Sequence, residues 1–296
     1  MVGTPKAEVD VTPGQVRDLL ADQHPRFAAL PVSLAGEGWD NFTFRLGDDL
    51  AIRLPRREAS VQLLVNEQRL LPRIAANLPL PIPSPVAIGQ PGRGYPWTWS
   101  VVPWIAGQPA DQAPLADTEG AALACFLQAL HVLAPPDAPD NQFRGIRLSL
   151  RHDRIVQVLE RLKAVSDVIT PAISQAWEDA VAAPIHDGPP LWIHGDIHAQ
   201  NVLSDKGRLA SVIDWGDMAS GDPAVDLSAV WGVLDHRRAR AEARAIYNPD
   251  DARLARARGW AVLFGATLFE NGRIDDPRHA ATGEATLRRL AEDLAG

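Results

Sequence analysis

Within residues 191–227, LWIHGDIHAQNVLSDKGRLASVIDWGDMASGDPAVDL, the sequence crowds His194, Asp196, His198, Asn201, Asp214, Asp217, Asp222 and Asp226 among short strands and tight turns. Asp196 and Asn201 stand five residues apart in a loop leaving one strand. Asp214 ends the returning strand of the hairpin NVLSDKGRLASVIDW, which brings it back beside that loop. A carboxylate and a carboxamide meeting at one spot present hard oxygen donors that suit Mg²⁺, with water or phosphate oxygens filling its other positions. Asp196 then remains to take a proton. A base with an oxygen-ligated metal is the apparatus of phosphoryl transfer, where the base orients an attacking hydroxyl and the metal offsets phosphate charge.

The elements that must position these groups follow from periodicity and breakers. Residues 1 to about 11 read as frayed, and Thr12-Pro13 then supplies an N-cap and a first-turn proline for a short helix. Residues 31–55 alternate apolar and polar and break at Gly36-Glu37-Gly38 and Gly47-Asp48-Asp49, which predicts three antiparallel strands. Residues 60–77 repeat apolar side chains at three-four spacing, predicting one amphipathic helix despite Pro72. Two more strands are expected near 86–89 and 97–104. Beyond 105–109 the pattern turns helical, with runs near 117–132, 148–165, 171–183, 224–234, 250–269 and 281–294, interrupted by the strand island described above. The expected class is α+β: a small antiparallel-sheet N-lobe with one main helix over 1–106, a hinge near 101–106, and a larger, mostly helical C-lobe over 107–296.

Length and composition agree, since 296 residues allow one large domain or two packed lobes, and 46% hydrophobic with 22% charged residues describes an ordinary globular chain. The formal net charge of −8 is uneven: the first 106 residues carry ten basic and ten acidic side chains, so the whole surplus lies C-terminal. Acidic surface repels nucleic acid and anionic membrane and favours cationic ligands. Cys125 alone cannot form an intrachain disulfide and, within the apolar run AALACFLQALHVL, is expected to pack in the core. The start, MVGTPKAEVD, has neither a basic n-region nor an apolar h-region, so a cytoplasmic location is expected.

HGDIHAQN followed by VIDWGD and GDPAVDL resembles the aminoglycoside phosphotransferase family, small-molecule kinases with a protein-kinase-like fold. The resemblance runs from Gly36 to at least Leu227 and implies a bilobal kinase fold, Asp196 as the catalytic base, and Asn201 and Asp214 as Mg²⁺ ligands. It leaves His194 as a brace for the loop, His198 and Asp217 without an assigned role, and Asp222 and Asp226 as scaffold. Ala199 stands where many relatives have proline, and Trp215 where the protein-kinase motif has phenylalanine. Neither exchange alters a coordinating atom.

The same resemblance assigns the nucleotide to the N-lobe. GEGWDN, with Gly36 and Gly38, would let backbone N–H groups approach phosphates. Kinases hold the α- and β-phosphates with a cation on the third strand, oriented by a helical glutamate. Lys6, Lys163 and Lys206 are the only lysines and none is in that strand, so Arg53 occupies the matching position with Glu67 as its partner. An exposed ion pair without function is the competing reading of these two. In WSVVPWIAG, Val102 would back the adenine, Pro103 can only accept through its carbonyl, and Ile105 can donate through its N–H.

The expected activity is therefore ATP-dependent transfer of the γ-phosphate, with Mg²⁺, to a hydroxyl of a small molecule; GTP is the competing donor. Aminoglycosides and other antibiotics are among the acceptor classes, and the C-terminal acidity suits a cationic one, with Asp235, Glu270, Asp275 and Asp276 as candidate contacts. A monomer or homodimer is expected. A metal-dependent hydrolase and a silent nucleotide-binding module are the alternatives, distinguished by metal content and by turnover.

Overall fold

Thr12 does cap a helix, α1 (Pro13–Gln23), its hydroxyl oxygen accepting the Gln15 N–H at 3.2 Å. The computed structural model describes residues 5–296. The alternating stretch after α1 forms β1 (Val32–Glu37), β2 (Asn41–Leu46) and β3 (Leu50–Pro55). The periodic stretch forms α2 (Val61–Ile74), and β4 (Ala87–Gly89) and β5 (Trp99–Pro103) complete an antiparallel sheet of order β1-β2-β3-β5-β4. Val16, Leu19 and Leu20 of α1 pack with Phe42, Phe44, Leu46, Ile52, Leu54, Tyr95, Trp99 and Val101. Ala7, Val9 and Val11 pack on that cluster and the Glu8 N–H donates to the Arg56 carbonyl at 2.8 Å, so the expected fraying does not extend through residues 7–11. Residues 1–4 lie outside the described part.

Two compact units result, one ending at Ala106 and the other running from Gly107 to Gly296. The second holds β6 (Gln108–Pro109), α3 (Gly120–Leu130), α4 (His152–Lys163) and α5 (Pro171–Ala182). Then come β7 (Leu191–Ile193), β8 (Val202–Asp205), β9 (Arg208–Val212), β10 (Ala219–Gly221), α6 (Ala224–Leu227) and α7 (Ala229–Val233). It closes with α8 (Arg237–Tyr247), α9 (Asp251–Asp275) and α10 (Pro277–Leu294). β8 pairs with β9 and β6, and β10 with β7, all antiparallel.

Four further expectations need correction. The single run over 224–234 is two short helices meeting at Ser228, whose hydroxyl donates back to the Val225 carbonyl at 2.5 Å. Helix α8, absent from the expected runs, is arginine-rich and buries only small residues, Tyr247 and one arginine, Arg240. Gly36 is not a turn residue: it lies in β1 opposite Thr43, past an irregularity at Leu34, and the turn proper begins at Gly38. Cys125 is exposed, because the buried stripe of α3 runs through Leu123, Ala124, Phe126, Leu127 and Leu130. Among the described residues no helix is long and apolar enough to cross a membrane.

Candidate active site

Backbone pairing fixes the geometry around the loop between β7 and β8. Val202 opposes Val212, and one step further the Ile213 N–H donates to the Asn201 carbonyl at 2.8 Å. Asp214 therefore leaves the hairpin next to Asn201, at φ 62°, a left-handed conformation uncommon for a residue other than glycine. Asn201 is buried, and its amide nitrogen donates to the Asp196 carbonyl at 3.0 Å and lies 3.3 Å from Asp196 Oδ2. The sequence-predicted trio is thus tied together through Asn201.

The imidazoles around the trio are held by backbone groups. His194 is fully buried against Trp215, ring centroids 4.6 Å apart. Its Nδ1 accepts the Asp196 N–H at 3.2 Å, which leaves the proton on Nε2 to donate to the Ile213 carbonyl at 3.1 Å. His194 thus spans the loop and the hairpin with both ring nitrogens engaged. His198 Nδ1 accepts the Gln200 N–H at 3.3 Å, and its Nε2 lies 3.5 Å from Asp196 Oδ2. A zinc hydrolase needs imidazole nitrogens turned towards a metal. His194 has none to offer, which removes the motive for the hydrolase alternative.

Asp226 supports the loop from below. Its carboxylate is fully buried and accepts the His194 N–H at 2.7 Å and the Gly195 N–H at 2.8 Å, while His131 Nε2 stands 3.2 Å away. Gly195 has φ 86°, and a Cβ there would come within 2.9 Å of the Asp217 carbonyl, so both backbone angle and space require glycine. Asp222 pairs with Arg256 at 2.6 Å and accepts the Ala224 N–H at 3.0 Å at the start of α6.

Sequence reasoning missed Arg144 and Asn141, which lie in an irregular segment without periodicity. Arg144 Nη2 is 3.1 Å from Asp196 Oδ1 and 3.3 Å from Asp217 Oδ2. Asn141 Nδ2 donates to Asp217 Oδ1 at 2.8 Å. Burial pushes the Asp196 carboxyl up, but the Arg144 charge and contact with His198 outweigh it and hold Asp196 well below the usual carboxylate range. Burial also raises Asp217; Arg144 pulls it back, and the charges of Asp196 and Asp214 leave it above its ordinary value.

In the N-terminal unit, Arg53 on β3 pairs with Glu67 on α2, and both are buried, 8% and 2% exposed. The exposed-pair reading of these two does not hold. Gly36 has no neighbour within 4 Å of a would-be Cβ. The Gly38 N–H is engaged by the Asn41 carbonyl at 2.9 Å, so in this conformation it is not offered to a phosphate. Arg56 and Arg57, also missed from sequence, hold this turn through the Gly38 carbonyl and Asp40, each at 2.6 Å. In β5, Val102 is buried opposite Ala51 and Pro103 opposes Leu50, while Ile105 follows the strand.

For Mg²⁺ the donor set fits. The Asn201 amide nitrogen is turned onto Asp196, leaving its carboxamide oxygen for a cation, and the adjoining Asp214 is an exposed carboxylate.

The antiparallel sheet of the N-terminal unit and the mostly helical second unit are those of a protein-kinase-like fold. Solved structures of similar fold include the GDP complex of aminoglycoside 2'-phosphotransferase-IIIa, with TM-score 0.66 and 19% identity over 96% of this chain and 99% of that one. A macrolide 2'-phosphotransferase from Brachybacterium faecium gives TM-score 0.59 and 22% identity over 93% and 97%. The chain belongs to the phosphotransferase enzyme family, whose model matches residues 31–263. Aminoglycoside 3'-phosphotransferase of Escherichia coli is 28% identical over 114 residues, 38% of this chain and 42% of that protein. Thiamine kinase of Salmonella heidelberg is 33% identical over 108 residues, 34% and 36% of the two chains. The chain thus spans about two-fifths of the length of the curated relatives it matches.

Proposed function

We propose that the protein transfers the γ-phosphate of ATP to a hydroxyl of a small molecule. The observation that carries this reading is the register of the β8–β9 hairpin, which sets Asp214 beside Asn201 while Asn201 holds Asp196. In it, Asp196 orients the acceptor hydroxyl and takes its proton at a carboxylate oxygen. Asn201 and Asp214 would hold Mg²⁺, which when bound would offset charge on the phosphate oxygens. Arg53, oriented by Glu67, contacts the α- and β-phosphates; a guanidinium is permanently charged and forks onto phosphate oxygens, so it can stand in for the usual lysine. Val102, Pro103 and Ile105 receive the base, and Gly36 and Gly38 leave room near the phosphates.

Relatives named for aminoglycosides, thiamine and macrolides set the range of acceptors to test. The acidic groups expected to greet a cationic acceptor are largely engaged within the protein: Asp235 pairs with Arg289, Glu270 with Arg161 at 2.6 Å, and Asp276 with His279 at 2.7 Å. Acceptor charge is therefore a variable of the test. ADP release from Mg-ATP, and GDP release from Mg-GTP, are measured with kanamycin, gentamicin, erythromycin, thiamine and choline. We expect stimulation by one acceptor, and a drop of about 10²–10⁴-fold in Asp196→Ala with nucleotide affinity retained. Unchanged turnover in that variant, or no nucleotide binding by the native protein, would overturn the reading.

A further inference from the structure

We propose that Arg144 is a positioning residue that fixes the plane of the Asp196 carboxylate for phosphoryl transfer, an inference that rests on the function proposed above. Asp196 is gripped from two sides: Arg144 Nη2 stands 3.1 Å from Oδ1, and Asn201 Nδ2 stands 3.3 Å from Oδ2. With one grip missing the carboxylate can turn about its Cβ–Cγ bond. A base that must present a lone pair to a hydroxyl loses alignment when that happens.

The guanidinium is itself built into place. The side-chain oxygen of Asn141 accepts the Phe143 N–H at 2.8 Å and the Arg144 N–H at 3.1 Å, fixing the backbone turn that carries Arg144. Asn141 is in turn anchored to Asp217 through its amide nitrogen, at 3.1 Å to the carbonyl and 2.8 Å to Oδ1. On the far side, the Gly145 carbonyl accepts the Asp222 N–H at 3.2 Å. The guanidinium carbon lies 5.1 Å from the Phe264 ring centroid, and the Arg144 stem runs past Gly195, where an added Cβ would meet it at 3.2 Å. An exposed, loosely held ion pair contributes little; this one is anchored on the turn at Asp217, the loop and α9 together. Asp217 shares Nη2 at 3.3 Å, so one cation serves two carboxylates and keeps them from repelling each other out of register.

The test compares wild-type protein with Arg144→Met, which keeps the stem beside Gly195 and removes the charge, and with Arg144→Lys, Asp196→Ala and the Asp196→Ala/Arg144→Met double variant. ADP release from Mg-ATP is followed with kanamycin, with thiamine and with water alone, and Mg-ATP affinity is read by calorimetry. Misalignment of about 1 Å costs about 10²-fold, so kcat of Arg144→Met should fall by that factor while Mg-ATP affinity holds within about twofold. Arg144→Lys should recover most of the loss, and added guanidinium should rescue Arg144→Met in part. In the Asp196→Ala background, Arg144→Met should cost nothing further, because its effect passes through Asp196. Additive losses in the double variant would overturn the proposal, as would a parallel fall of kcat and Mg-ATP affinity or wild-type kcat in Arg144→Met. If Arg144→Met does not fold, Arg144→Lys decides: a folded lysine variant with kcat lowered by the full 10² or so overturns it. Wild-type protein that releases no ADP in any arm would instead overturn the phosphotransferase reading, and Arg144's role with it.

Discussion

Replacing Asp226 by alanine should be among the most damaging single changes outside the reacting groups. The carboxylate is fully buried and receives three donors: the His194 N–H at 2.7 Å, the Gly195 N–H at 2.8 Å and His131 Nε2 at 3.2 Å. A buried donor left without its acceptor costs about 1–3 kcal/mol, so three of them sum to about 3–6 kcal/mol after local relaxation. That is a large share of the roughly 5–15 kcal/mol that typically holds a domain folded. Asp226→Asn separates the contributions. One amide oxygen can keep His194 and His131, and the NH₂ must then face the Gly195 N–H, so the loss falls to about 1–3 kcal/mol. Urea unfolding followed by tryptophan fluorescence reads the stabilities, Trp215 lying 4.6 Å from the His194 ring. Amide hydrogen exchange reads the site, and Gly195 should lose protection in the asparagine variant while His194 keeps it. A loss below about 1 kcal/mol in Asp226→Ala, or unchanged Gly195 exchange in Asp226→Asn, would refute the assignment of Asp226 as the peg beneath the loop.

Three further outcomes are expected. Burial pushes the Asp293 carboxyl up, but hydrogen bonding and charge from Arg240, with Arg244 and Trp231, hold it below the usual range. Its stabilisation is thus fully present above the unfolded value of about 4 and is lost as pH falls through the folded value; Asp293→Asn should flatten the acid limb of a melting-temperature profile. Gly195→Ala, forced to φ 86° with a Cβ 2.9 Å from the Asp217 carbonyl, should abolish the proposed turnover while leaving Mg-ATP affinity unchanged, checked by ADP release beside calorimetry. Cys125, exposed on α3, should react stoichiometrically with a thiol reagent in the native protein at the same rate with and without denaturant-induced opening.

What was legible in the sequence was whatever local chemistry decides. Alternation announced β1 to β3, and the five-residue spacing of Asp196 and Asn201 announced the loop. Arg144 and Asn141 were hidden because their partners, Asp196 and Asp217, lie more than fifty residues away and no periodicity marks the segment between α3 and α4. Helix α8 was hidden because its inward face is Ala239, Ala243, Arg240 and Tyr247, too little apolar side chain to register, and its one large aliphatic residue, Ile246, is exposed. Arg240 can be buried because Glu292 and Asp293 of α10 and the carbonyls of Leu234 and Asp235 receive it. Cys125 was misplaced for the opposite reason. The run around it is apolar throughout, so composition gave no hint of which stripe of α3 faces outward.

The hairpin between Asn201 and Asp214 acts as a ruler. Its tip is the two-residue turn Lys206-Gly207, φ 52° and 81°, and its base is closed by the Ile213 N–H on the Asn201 carbonyl. Side chains alternate faces along a strand, and the register shift between Leu203 and Ser204 gives β9 one residue more than β8 between the turn and this base, so the ribbon takes up one odd residue there. Beyond that bulge, a further single-residue insertion in β9 would swing Asp214 to the opposite face and away from Asn201, whereas one residue added on each side of the turn lengthens the ribbon and leaves its base as it was. A descendant of this sequence that keeps both oxygen donors in place is thereby held to paired changes along this hairpin, apart from the one residue the bulge takes up.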